Sequence, residues 1–373
     1  INGTFEWAYE EEFDCRDGFL FNEDGTKIAF WQIDANQVRD FLMINNTDSI
    51  YSFNIPVEYP KVGEYPSPAK IGVIDLTNEN KITWMKIPGP ANNNYLPRMM
   101  WAPSSDELYV QQLNRKQNHS KIFIANASSG SVKLLREEKD DAWVDIRNSW
   151  PNNDQAGWKF INDGTNFLYV TEKDGWSHIY NFNVETKKEY LVTNGEYDVI
   201  QPLGIDEKNG IIYFIASPEN ATQRYLYKTD INGNGSLKKV TPNTLKGSNS
   251  YQISPKGNYA FHRFSNYFTK PMNQLINLPS HKSIKNEKSI SEKFNLKLQS
   301  NSALSFFQIT TVDDVTMDGW IVKPKNMDPK KKYPVLFYFY SEPAGTTVVD
   351  RYGVGNNRLY DGDMQEDGYV YVS

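Results

Sequence analysis

The sequence predicts a mainly β protein, a β-propeller followed by the first strands of a second domain, and three observations predict it. Short apolar runs alternate with Asn-, Asp- and Gly-bearing turns, and 23 Tyr and 20 Phe bring the aromatic content to 14%. That is the composition of many short strands joined by tight turns. One local pattern repeats along the chain, and near Glu287 the repetition stops and two dense apolar runs follow.

In the repeat, an aromatic or apolar pair leads through a polar turn into a β-run. Phe19-Leu-Phe-Asn-Glu-Asp-Gly25 precedes Ile28-Ala-Phe-Trp31, and Met100-Trp-Ala-Pro-Ser-Ser-Asp106 precedes Leu108-Tyr-Val110. Trp158-Lys-Phe-Ile-Asn-Asp-Gly164, Leu203-Gly-Ile-Asp-Glu-Lys-Asn-Gly210 and Tyr251-Gln-Ile-Ser-Pro-Lys-Gly257 lead in the same way into their own β-runs. Further strands follow each turn, as in His178-Ile-Tyr-Asn-Phe182 and Tyr225-Leu-Tyr-Lys228. Four strands per unit is a propeller blade. The later units are spaced by roughly 45–60 residues, close to the period of blades. The first interval is longer and must hold an extra hairpin or an extra partial blade. Asp-Gly in Glu23-Asp24-Gly25 and Asn162-Asp163-Gly164 is a pair that hairpin turns favour, because it tolerates positive φ. At least five blades are expected before Glu287, and a two-sheet sandwich is the competing architecture.

The polar stretch 288–303 reads as a linker, so the expected division is 1–287 propeller, 288–303 linker and 304–373 the start of another domain. Phe306-Phe-Gln-Ile-Thr-Thr311 and Gly319-Trp-Ile-Val322 are hairpin strands around Asp313-Asp314. Tyr333-Pro-Val-Leu-Phe-Tyr-Phe-Tyr340 and Gly368-Tyr-Val-Tyr-Val-Ser373 lack polar alternation, as strands buried on both faces do.

A net charge of −6 without a basic block gives no support for binding nucleic acid or an anionic membrane, and favours cationic ligands. Cys15 is the single cysteine, which excludes a disulfide within the chain and reads as a small buried residue. His119, His178 and His262 show no metal spacing and read as structural. No metal site and no cofactor are expected.

The densest chemical signal is Glu6-Trp7-Ala8-Tyr9-Glu10-Glu11-Glu12-Phe13. Three consecutive carboxylates without basic partners at i±4 are either a solvated surface or a site for a cation. Trp7, Tyr9 and Phe13 would anchor the segment in apolar surroundings, and a helical turn would set neighbouring acids on one edge. Two carboxylates side by side receive an ammonium through charge-assisted hydrogen bonds.

This segment resembles the double-glutamate motif of the dipeptidyl peptidase IV family. Phe30-Trp31-Gln32-Ile33-Asp34, Tyr59-Pro-Lys-Val-Gly63 with Pro66 and Pro68, Leu113-Asn-Arg-Lys-Gln-Asn118, Asp174-Gly-Trp-Ser-His-Ile-Tyr180 and Lys332-Tyr-Pro-Val-Leu336 resemble family landmarks in the same order. Bacterial prolyl tripeptidyl peptidases share the layout. The resemblance implies a propeller, here incomplete with N-terminal blades missing, followed by the first strands of an α/β-hydrolase domain. It implies that Glu11 and Glu12 bind the free N-terminus of a peptide, with Glu10 structural, and that Tyr340 donates to the oxyanion. Arg147, in Trp143-Val-Asp-Ile-Arg-Asn148, is the candidate facing the substrate's second side chain, against a plain surface arginine; Arg115 reads as a buried anchor of its blade.

The implied function is that of a serine exopeptidase releasing N-terminal dipeptides, with Pro or Ala as second residue. Its partners would be peptides with a free N-terminus and, in the full-length protein, a second copy forming a homodimer. An exported protein of a bacterial periplasm or cell envelope is implied as well. The sequence has no Gly-x-Ser-x-Gly, and the family's Ser, Asp and His would lie beyond Ser373, so the fragment alone should be inactive. Ser341-Glu342-Pro343 departs from the small residues the family carries after its tyrosine. The alternative is a catalytically inactive relative that only binds peptides or proteins.

Overall fold

The computed structural model describes residues 1–78, 81–103, 106–146, 150, 157–284, 288–294, 303–340 and 345–373. The chain forms two compact units, Ile1–Asn194 and Gly195–Ser373.

In the first unit a short helix, α1 (Trp7–Phe13), precedes three four-stranded antiparallel sheets. The first contains β1 (Phe19–Phe21) and β2 (Lys27–Ile33), then, after a two-stranded hairpin of β3 (Asp40–Asn45) and β4 (Phe53–Glu58), β5 (Ala69–Asp75) and β6 (Lys81–Trp84). Its order is β1-β2-β5-β6, so the hairpin is the insertion that lengthens the first sequence interval. The second sheet is β7 (Asn94–Trp101), β8 (Glu107–Asn114), β9 (His119–Asn126) and β10 (Val132–Lys139). The third is β11 (Trp158–Ile161), β12 (Asn166–Thr171), β13 (His178–Asn183) and β14 (Glu189–Leu191). The β11–β12 turn runs through Asn162 and Asp163 at φ 52° and 51°, the positive φ that a tight hairpin of this twist requires.

The second unit opens with a fourth such sheet, β15 (Val199–Asp206), β16 (Ile211–Ala216), β17 (Tyr225–Asp230) and β18 (Lys238–Lys239). A three-stranded sheet follows, β19 (Ser248–Ile253), β20 (Tyr259–Asn266) and β21 (Thr269–Asn277). Five successive antiparallel meanders are the blades of a β-propeller, the fold this chain adopts.

Alternation places apolar side chains between sheets. Phe167 and Phe182 stack at 5.0 Å within a cluster that also buries Tyr109, Trp158 and Tyr180. One cluster of buried polar side chains is hydrogen-bonded throughout. In the second unit Tyr251 stacks on His262 at 4.4 Å, its hydroxyl pairs with His281 Nε2 at 2.9 Å, and Asn249 and Gln274 flank His262, each at 2.9 Å. Burial pushes His262 down to about 2 and His281 down to about 4, so both are neutral structural imidazoles at ordinary pH. Cys15 is buried too, its thiol donating to the Pro97 carbonyl at 3.3 Å, and burial pushes it up to about 11.

After α2 (Ile290–Lys293), opened by a capping box of Ser289 and Glu292, come β22 (Leu304–Thr310), β23 (Thr316–Val322), β24 (Val335–Phe337) and β25 (Val370–Val372), in the order β22-β23-β25-β24. β24 and β25 are parallel, and the other pairs are antiparallel. β25 is central and buried, as expected. β24 is not, and this corrects the expectation of burial on both faces: it is the edge strand, with Val335, Leu336 and Phe337 exposed at 49%, 37% and 67%. An apolar run encodes a strand's preference for burial, and only neighbouring elements can satisfy it.

Candidate functional site

Helix α1 is fixed at both ends and along one face. Glu6 is its N-cap, and its Oε2 accepts the Ala8 N–H at 2.7 Å. Glu6 is 3% exposed, and burial raises its carboxyl above the usual range against the lowering effect of the Ala8 and Tyr9 amides. Tyr9 and Phe13, one helical turn apart, are buried with rings 5.5 Å apart. The Tyr9 hydroxyl accepts the Leu96 N–H at 3.0 Å, which ties the helix to β7. At the C-terminal end the buried Arg98 guanidinium donates to the Phe13 carbonyl, and to the Ile146 carbonyl at 3.3 Å. Asp14 then leaves the helix at φ 52°.

The opposite face presents Trp7, Ala8, Glu11 and Glu12 to a cleft of about 700 Å³. The i, i+3 and i+4 spacing of these four sets the two carboxylates on one edge. Both are exposed. Glu10 lies off this face and is half-buried. The far wall is the segment 59–66, which turns back through a Glu64 N–H to Lys61 carbonyl bond of 2.9 Å, with Gly63 at φ 89° supplying a conformation other residues resist. The wall is anchored by rings: Tyr59 lies 5.6 Å from Trp7 and 5.7 Å from Phe41 of β3, and Lys61 sits over Phe41 at 5.1 Å. Tyr95 and Arg115 complete the cleft. Tyr95 packs on Phe13 at 5.1 Å, and burial raises its phenol's pKa, opposed by Arg115 and reinforced by Glu6 and Glu12.

Arg115 is half-buried at the β8–β9 turn and donates to the Glu64 carbonyl. The expected anchor of its own blade is therefore a cross-link to the cleft wall. Neither this role nor that of Glu6 stands out in sequence, because both depend on segments tens of residues away or on which acid of a cluster is buried. Arg147 and Glu342 lie outside the described residues. Tyr340 follows the end of β24 by three residues and is 60% exposed. It belongs to the second unit, whereas Glu11 and Glu12 belong to the first. Among the described residues no cluster of His, Cys, Asp or Glu suits a metal ion.

Propeller blades with a carboxylate-bearing helix at a cleft define the class of fold and site, and comparison with known proteins narrows it. Residues 1–271 match the dipeptidyl peptidase IV N-terminal region, and the chain belongs to the dipeptidyl peptidase IV family. It is 27% identical to dipeptidyl peptidase 4 of Trichophyton rubrum over 93% of this chain and 45% of that protein. It is 26% identical to a probable dipeptidyl-aminopeptidase B of Aspergillus niger, over 100% of this chain and 43% of that one. The crystal structure of Porphyromonas gingivalis dipeptidyl peptidase 4 superimposes with a TM-score of 0.83 at 27% identity, covering 100% of this chain and 50% of that chain. The chain thus spans less than half the length of these curated relatives.

Proposed function

We propose that this chain is the substrate-anchoring part of a serine exopeptidase that releases N-terminal dipeptides, with Pro or Ala as second residue. One observation carries the reading: Glu11 and Glu12 stand side by side on a helix locked by buried contacts, and both line one cleft. An α-amino group is largely protonated at neutral pH, and two fixed carboxylates hold it through charge-assisted hydrogen bonds. Holding it sets how far the chain reaches toward a nucleophile. In this reading residues 304–373 begin an α/β-hydrolase domain, β24 and β25 being its first parallel pair, and Tyr340 donates to the oxyanion. The Ser, Asp and His come from sequence beyond Ser373.

Homodimerisation of the whole protein is part of the proposal. Its support is the β3–β4 hairpin, where Leu42, Ile44, Ile50 and Tyr51 are 56%, 70%, 97% and 84% exposed, an apolar surface unusual on a monomer.

The test compares free and N-acetylated Gly-Pro amides on the full-length enzyme and its Glu12→Gln variant. The variant is expected to lose about 10- to 100-fold in kcat/KM on the free substrate, as one charge-assisted bond is worth about 1.5–3 kcal/mol. The acetylated substrate is poor for the wild type and loses little more. An equal proportional loss on both substrates would assign the glutamates a structural role instead.

A further inference from the structure

The cleft is not purely acidic. Arg115 and Lys61 line it together with Glu11 and Glu12, and among the described residues neither cation forms an ion pair. Arg115 spends one side-chain N–H on the Glu64 carbonyl, and among the described residues Lys61 is engaged by the face of Phe41. The third carboxylate of the rim, Glu64, is taken by Arg39 at 3.8 Å. Arg115, Tyr95 and Glu12 line this same cleft. Two carboxylates therefore face two cations. When a peptide ammonium settles on the carboxylates, and with Arg39 counted against Glu64, the cleft holds a surplus of one positive charge, to which Arg115 contributes a half-buried planar guanidinium with donors to spare.

We propose that Arg115 is a specificity-determining residue that binds a carboxylate on the side chain of the substrate's first residue, so that the protein favours peptides beginning with Asp or Glu. The proposal rests on Glu11 and Glu12 holding the N-terminus: the first side chain branches from the carbon bearing that ammonium and must lie within the same cleft. Lys61, exposed on the rim, adds a second and more screened attraction. A basic first residue meets the same surplus with the opposite sign.

The experiment measures kcat/KM of the full-length enzyme on Asp-Pro, Asn-Pro and Lys-Pro chromogenic amides, with Arg115→Gln and Arg115→Lys variants. Asp and Asn differ in charge at nearly constant shape, so their ratio isolates the carboxylate. The wild-type ratio of Asp-Pro to Asn-Pro is expected to be about three- to ten-fold, shrinking as salt rises. Lys-Pro ranks last. The ratio falls to about one in Arg115→Gln and stays above one in Arg115→Lys, which keeps the charge and guards against a loss that reflects folding alone. A wild-type ratio of one, or a ratio unchanged in Arg115→Gln, overturns the proposal. An equal proportional loss on the Asp and Asn substrates also overturns it, since Arg115 would then serve the peptide main chain or only the cleft wall. Discrimination between free and acetylated amides is scored separately, so failure of the N-terminus reading is distinguishable from failure of this one.

Discussion

The glutamate helix and the segment 335–340 carry the two kinds of residue proposed to meet one substrate, and the fold treats them in opposite ways. Helix α1 is seven residues long, too short to persist alone, yet a buried cap, two buried rings, a hydroxyl-to-amide bond and a buried guanidinium hold it. Tyr340 sits beyond a three-residue edge strand whose apolar side chains face solvent. The residues proposed to bind are thus set by contacts made within their own unit. The residue proposed to act in chemistry follows the end of an exposed edge strand.

The same substitution in both regions sharpens the contrast. Tyr340→Phe is expected to lower kcat of the full-length enzyme by about 10²- to 10³-fold, the worth of one oxyanion donor, and to shift unfolding free energy by no more than about 0.5 kcal/mol. Steady-state kinetics and urea denaturation read the two quantities, and an unchanged kcat removes Tyr340 from the oxyanion site. Tyr9→Phe does the reverse. It strips the partner from a buried Leu96 N–H and should cost about 1–3 kcal/mol of stability, raising KM for free peptides more than it lowers kcat. A loss confined to kcat would mean that α1 is held by other contacts.

The smallest effect concerns Glu6. Burial raises its pKa in the folded state, so the folded protein holds this proton more tightly than the unfolded chain does. Its contribution is complete below the unfolded carboxyl's pKa and is lost as pH rises through the folded value. Glu6→Gln, which carries no charge to bury, should therefore be about as stable as wild type at pH 7 or slightly more so, and relatively less stable at pH 4. Glu6→Ala loses the cap at any pH, about 1 kcal/mol. Denaturation midpoints at the two pH values check this, and a Glu6→Gln variant less stable at pH 7 than at pH 4, relative to wild type, reverses the assignment.

Much of the fold was legible because blade strands advertise themselves locally. Turn pairs such as Asp163-Gly164 sit where positive φ is needed, and aromatic runs such as Phe167-Leu-Tyr-Val170 become strands in which Phe167, Leu168 and Tyr169 are all buried, as in a blade packed on both faces. The long first interval predicted an insertion, and the hairpin is that insertion. For the site, the clustering of Trp7, Tyr9 and Phe13 around the acids foretold a packed helix. What stayed hidden depends on distant chain. Nothing around Arg115 points to Glu64, and nothing in the run from Val335 to Phe337 says that it stands at a sheet edge.

The hairpin and the cleft wall share one continuous stretch of backbone. β4 ends at Glu58, the wall begins at Tyr59, and the rings of Phe41, Tyr59 and Trp7 run in series from hairpin to glutamate helix. If a second copy seats on the hairpin, assembly and peptide capture draw on the same aromatic cluster and become thermodynamically linked. Linkage is reciprocal: whatever factor dimerisation applies to the affinity for a peptide's N-terminus, a bound peptide applies to the affinity between subunits.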